Sequence, residues 1–174
     1  MIGVGLGFMF REIGHKYVAM KYGYFAEFKI WPIGLLIALA TAFLGFVFAA
    51  PGEIKIHAEE LSDEISGRIA AAGPMANMSL AFIFLVIAVI AYPFEAYLKI
   101  FKLILLISTV GYSVNSFLAA FNLFPIYSLD GIKVFKWNAK IWIILFALGV
   151  IMLFLSIFIG AENMIMFIIE ISGI

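Results

Sequence analysis

The sequence predicts an all-α polytopic membrane protein, a bundle of about four to six transmembrane helices with a small membrane-associated β element. Three observations predict it. The 174-residue chain is 66% hydrophobic, 17% aromatic and only 13% charged, with a mean hydropathy of +1.16, far outside the range of a water-soluble domain. Five apolar stretches run along it, at roughly 1–22, 33–50, 69–92, 98–124 and 139–160, most near the ~20 residues a helix needs to cross the hydrocarbon core. Two short segments, 26–31 and 53–57, alternate polar and apolar residues beside Pro32 and Pro51, the pattern of half-exposed strands.

The first stretch reaches spanning length only by including Arg11, Glu12, His15 and Lys16. Ionisable groups at such depth are costly and normally face a bundle interior or a water-filled cavity. No cleavable leader is expected, because residues 1–10 lack a basic start and no small-residue cleavage site precedes Arg11. The stretch at 33–50 is either a full span or, if its flanking strands pair, a re-entrant element whose ends lie on one side. Charge arbitrates. With a re-entrant element one side collects Arg11, Lys16, Lys21, Lys29, Lys55, Arg68, Lys133, Lys136 and Lys140, against Lys99 and Lys102; with a full span the split is six against five. The positive-inside tendency favours the re-entrant arrangement and makes the charge-rich side cytoplasmic. Only that topology places His15 and Asp130 on the same side.

In the third stretch, Arg68–Asn77 reads RIAAAGPMAN. Small residues from Gly67 to Gly73 permit close helix approach, and Pro74 suits the first turn of a helix that starts there, with Asn77 one turn in. At the end of the fourth stretch, Asn122–Gly131 reads NLFPIYSLDG. Pro125 breaks the helix and Asp130-Gly131 reads as a turn. By itself this is an interfacial loop with a solvated Asp; on irregular backbone lining a cavity, Asp130 becomes a carboxylate ligand. The fifth stretch adds a helix, and the tail 163–174 is too short to cross alone. One integral-membrane domain is expected over 1–174, with a core at about 8–136 and an additional helix and tail at 137–174.

Formal net charge is zero, so nothing points to nucleic acid, and the absence of Cys excludes disulfides and thiolate metal sites. The cluster Glu59, Glu60, Asp63, Glu64 reads as a solvated face. Trp31, Trp137 and Trp142 read as lipid contacts and interfacial anchors, and the eight Met residues as packing.

Residues 11–15 read Arg-Glu-Ile-Gly-His, one residue from His-Glu-x-x-His. That zinc helix needs two imidazoles at i and i+4 on one face, with the Glu as general base. Taken in order, this helix, the GPxxN segment at 73–77 and the NxxP…LDG segment at 122–131 resemble the site-2 protease family, the intramembrane zinc metallopeptidases, over about residues 8–136. The segment AEFKIWPIG is also similar to that family's membrane-associated β-structure. The resemblance implies a zinc cofactor and transmembrane peptides as substrates or ligands within the lipid bilayer. It matches Glu12 to the general base, and His15 and Asp130 to metal ligands. Asn77 and Asn122 match residues that support the site or orient a substrate strand, and Pro125 and Gly131 match residues that shape the loop.

Arg11 departs from the pattern, standing where the first ligand His belongs. A guanidinium has no free lone pair and stays protonated, so it cannot ligate zinc. The expectation is a fold with weak or absent hydrolysis that binds transmembrane segments, with Arg11 paired bidentately to Asp130 in the metal's place. His57, the other histidine, is the alternative third ligand for an active enzyme; its more ordinary reading is an interfacial polar group. A small multi-span transporter or channel lined by buried charge is the competing class, but it leaves the three ordered motifs without a reason.

Overall fold

Helix α1, Ile2–Lys21, runs unbroken through its charged centre and ends where the chain must turn sharply. Gly23 takes φ +82°. The Tyr24 amide donates to the Ala19 carbonyl at 3.1 Å and the Gly23 amide to Met20 at 2.9 Å, the paired bonds of a Schellman stop. That turn feeds strand β1, Phe25–Ile30, which pairs antiparallel with β2, Gly52–His57, in a register running from Phe25↔His57 to Ile30↔Gly52. The strands begin and end one residue earlier, or begin one residue earlier, than the alternation predicts. The structure, a computed structural model, describes residues 2–34, 36–37, 52–58, 60–127 and 129–172. Most of 33–50, and with it the choice between re-entrant element and full span, lies outside the described residues, although the strand pairing brings its flanks together.

Helix α2 spans Asp63–Ala91, which corrects the sequence expectation of a start near Pro74. Ser62 caps it by accepting from the Ile65 amide at 3.3 Å, and Asp63 and Glu64 complement the positive end of the helix dipole. Those polar signals outrank the proline. Pro74 lies buried inside the helix, tolerated because small neighbours leave room for backbones to meet. A Cβ on Gly14 would stand 2.9 Å from the Ala72 carbonyl oxygen, so α1 and α2 are nearly in backbone contact. Helix α3, Lys99–Asn122, packs on α2 with the Phe84 ring set against Gly111.

After α3 come a short helix α4, Asp130–Trp137, and α5, Ala139–Phe154, capped by Asn138 on the Lys140 and Ile141 amides. Helix α5 runs on through a π turn at Leu155–Ile159. There Tyr112 donates to the Met152 carbonyl at 3.2 Å, the acceptor that the Ser156 amide would use in a regular α-helix, and the Ser156 hydroxyl donates to Ser113 at 2.7 Å. Three helical segments are long and apolar enough to cross a membrane: Asp63–Phe94, Lys99–Asn122 and Ala139–Ile159, with mean hydropathies of 2.2, 1.7 and 2.9. The last buries only Gly149 among its described residues and leaves Ile143, Ile144, Leu148, Ile151, Phe154 and Phe158 exposed, a face suited to lipid or a protein neighbour and not to water.

The tail is not a loose end. Gly160, at φ +80°, reverses the chain into α6, Ala161–Ser172, whose Ile165 is fully buried against Ala88 of α2 and Leu105 of α3. Two of the tryptophans also pack within the protein while staying partly exposed. Trp142 donates its indole N–H to the Leu123 carbonyl at 2.8 Å and stacks on Phe146. Trp137 covers Gly67 and lies 5.1 Å beneath the Arg68 guanidinium.

Candidate active site

Helical spacing places Arg11 and His15 one turn apart on α1, facing α2 and the start of α4. His15 is 7% exposed and Glu12 4%. The imidazole lies directly over Gly73, where a Cβ would overlap it, and the same Cβ would meet Arg11 Cγ at 3.0 Å. The small residues noted at 67–73 thus have a local use: they let α2 pass beneath a ring. His15 Nδ1 lies 2.8 Å from the Ile69 carbonyl oxygen. A carbonyl only accepts, so Nδ1 carries the proton and Nε2 is turned toward Asp130.

Asp130 opens α4 and does not sit in the predicted turn. Leu129 before it is extended, and the intervening loop is closed by Leu129 donating to Ile126 at 2.9 Å. Pro125 stands exposed in that loop. A carboxylate in the first turn of a helix is favoured by the exposed amides there. Gly131 follows because a Cβ at that position would collide with the Leu123 carbonyl, so α4 starts against the backbone that ends α3.

Arg11 joins these pieces. Its Nη2 donates to Asp130 Oδ2 at 2.7 Å, and its Nη1 donates to Glu12 Oε1 at 2.7 Å. The expected bidentate pair with Asp130 is therefore corrected to a bridge, one arm of the fork for each carboxylate. The second Glu12 oxygen, Oε2, accepts the Ile54 amide of β2 at 2.9 Å. Both oxygens of the expected general base are thus engaged. His15 Nε2 approaches Asp130 Oδ2 at 3.3 Å but, like Arg11 Nε, is buried without a hydrogen bond. Burial by itself would raise the Asp130 pKa. The neighbouring His15 and Arg11 outweigh it and hold the carboxyl at about 2.

The remaining expected site residues fall around this centre unevenly. Asn77, one turn beyond Gly73, is fully buried, and neither of its side-chain polar atoms has a partner. Asn122 donates to the Leu118 carbonyl of its own helix at 2.7 Å. His57 is about half exposed and lies 2.9 Å from Glu27 across the sheet, so the structure does not bring it to Asp130 as a third ligand. Sequence reading missed the Ile54 amide and the Ile69 carbonyl, which as backbone groups leave no mark in a motif. It also missed Asn115, fully buried with its Oδ1 against Gly7.

Zinc is the cofactor a complete motif would hold, and these residues do not fit it. A catalytic zinc takes three protein ligands and a water. Here His15 Nε2 and Asp130 supply two, and the position of the third carries a fixed positive charge bonded to one of them. Among the described residues no three His, Cys, Asp or Glu side chains are grouped to hold a metal ion.

The described residues thus combine three helices long and apolar enough to cross a membrane with a buried Glu12, His15 and Asp130 centre, and the class comes from comparison with known proteins. The chain is 41% identical over 145 residues to the protein named Putative zinc metalloprotease MJ0611 of Methanocaldococcus jannaschii, an alignment covering 83% of this chain and 72% of that one. The chain belongs to the family of that metalloprotease. No family model matches it, and no solved structure does.

Proposed function

We propose that this protein is a membrane-embedded domain of the site-2 protease type that binds transmembrane segments without hydrolysing them. The observation that carries the reading is the Arg11 guanidinium held between Glu12 and Asp130. Peptide hydrolysis at such a centre needs a metal-activated water and a carboxylate free to take its proton. In this chain a cation without a lone pair stands at a ligand position, and the Ile54 amide and Arg11 take up both oxygens of Glu12. What remains is a polar centre among apolar helices, with a β-hairpin beside it whose Phe25, Phe28 and Ile30 are exposed. In the bilayer, a partner segment would meet apolar surface from the helices and polar backbone from the strands. The distribution of Lys and Arg supports a cytoplasmic position for the centre, and the pairing of β1 with β2 supports a re-entrant course for the segment they flank.

Reconstitution in proteoliposomes with a panel of labelled transmembrane peptides tests this. The expected result is saturable crosslinking to the protein with every peptide left intact over hours. Cleavage by the wild-type chain that disappears in Glu12→Gln would overturn the silent centre, and failure to retain any peptide would overturn the binding role.

A further inference from the structure

We infer that Arg11 is the resident cation of this centre: its guanidinium occupies the position and supplies the charge of a divalent ion, over a latent metal site formed by His15 Nε2 and Asp130 Oδ2. The inference deepens the function proposed above and rests on that reading only for the kind of centre this is. Three observations converge on it. Arg11 bridges carboxylates from α1 and α4 through two 2.7 Å contacts, as one bound cation would. His15 Nδ1 is committed to the Ile69 carbonyl, the outer contact that orients a metal-binding imidazole. Facing the Asp130 carboxylate at 3.3 Å, Nε2 can be satisfied by a proton shared with that carboxylate or by a metal ion bound between the two. The 3.3 Å between Nε2 and Oδ2 also suits two ligands of one ion, since donors about 2.0–2.1 Å from a tetrahedral zinc lie about 3.3 Å apart. Position 11, one helical turn before His15, faces the same point.

Elemental analysis of the purified, detergent-solubilised chain, with no peptide present, tests this separately from the proposed function. Wild type is expected to carry no zinc and to keep its melting temperature in excess chelator. Arg11→His is expected to take up about one zinc per chain and to lose it when His15→Ala is added. Stoichiometric zinc in wild type that vanishes in Asp130→Asn would overturn the inference, as would a folded Arg11→His variant that binds none. Should Arg11→His not fold, Arg11→Ala gives a second reading: a small guanidinium cation should raise its melting temperature and an equal concentration of urea should not. Equal responses to the two count against Arg11 as the resident cation.

Discussion

Arg11 of α1 and Asp130 of α4, 119 positions apart in the chain, meet through a single 2.7 Å contact, while the other arm of the same guanidinium holds Glu12. Glu12 in turn holds the Ile54 amide of β2. One cationic side chain therefore ties together a helix, a second helix start and a strand. Where helices meet in lipid, such a tie counts for more than in a water-soluble core, because lipid tails give apolar surfaces little reason to seek one another.

Removing both members of that bridge should cost less than the two single losses added together. Asp130→Asn leaves Arg11 buried with half its partners, and Arg11→Met leaves two carboxylates facing each other; breaking a buried pair in this way typically costs about 3–5 kcal/mol. The double variant removes a charge of each sign and should lose clearly less than the sum. Denaturation in micelles, read by far-ultraviolet circular dichroism, measures the cycle. Strict additivity would mean that the two side chains do not interact in the folded protein.

Glycine positions separate a yielding neighbour from an unyielding one. Gly73→Ala places a methyl group on the His15 imidazole and beside Arg11 Cγ. These are side-chain atoms that can swing aside, so the fold should survive while the His15–Ile69 bond is lost. Gly131→Ala drives its methyl into the Leu123 carbonyl, backbone that cannot move without displacing the end of α3. The expected order is a modest fall in melting temperature for Gly73→Ala and failure to accumulate folded protein for Gly131→Ala. A reversed order would contradict the packing described here.

Much of this was legible in the sequence, and the reasons are physical. Hydropathy marks the long apolar helices because each carries a long run nearly free of charge, and period-two alternation marks both strands to within a residue. The approach of Arg11 to Asp130 was foreseeable, since a buried guanidinium must find a carboxylate. That the fork would be shared with Glu12 was not, because the sharing depends on where β2 delivers the Ile54 amide. Pro74 misled for a related reason: a proline reads as a helix start, yet Ser62 and the acidic first turn began the helix eleven residues earlier. The docking of α6 was hidden because its apolar pattern does not say which groove will take Ile165.

Acid should weaken the centre late. The Asp130 carboxyl is held at about 2 in the folded protein, against about 3.9 for an unperturbed Asp. A depressed carboxyl contributes stability that is fully present above the unfolded value and is lost as pH falls through the folded one. The stability difference between wild type and Asp130→Asn should therefore be constant from pH 7 to about 4.5 and shrink between about 4 and 2. Melting temperatures of both proteins across that range measure it. A difference that collapses already between pH 7 and 5 would show that Asp130 is not held down by its neighbours.

The last helix offers a test of packing free of charge. Ile165 is fully buried between Ala88 and Leu105, whereas Phe167, two residues on, is 63% exposed. Ile165 fills the space between Ala88 and Leu105, so its worth lies in its fit. Truncation leaves a cavity that the small Ala88 cannot fill. Ile165→Ala should cost about 2 kcal/mol or more, and Phe167→Ala, though it removes more atoms, should cost less than about 0.5 kcal/mol. Unfolding of each variant in the same detergent gives the comparison, and equal losses at the two positions would mean that α6 does not dock in the groove between α2 and α3.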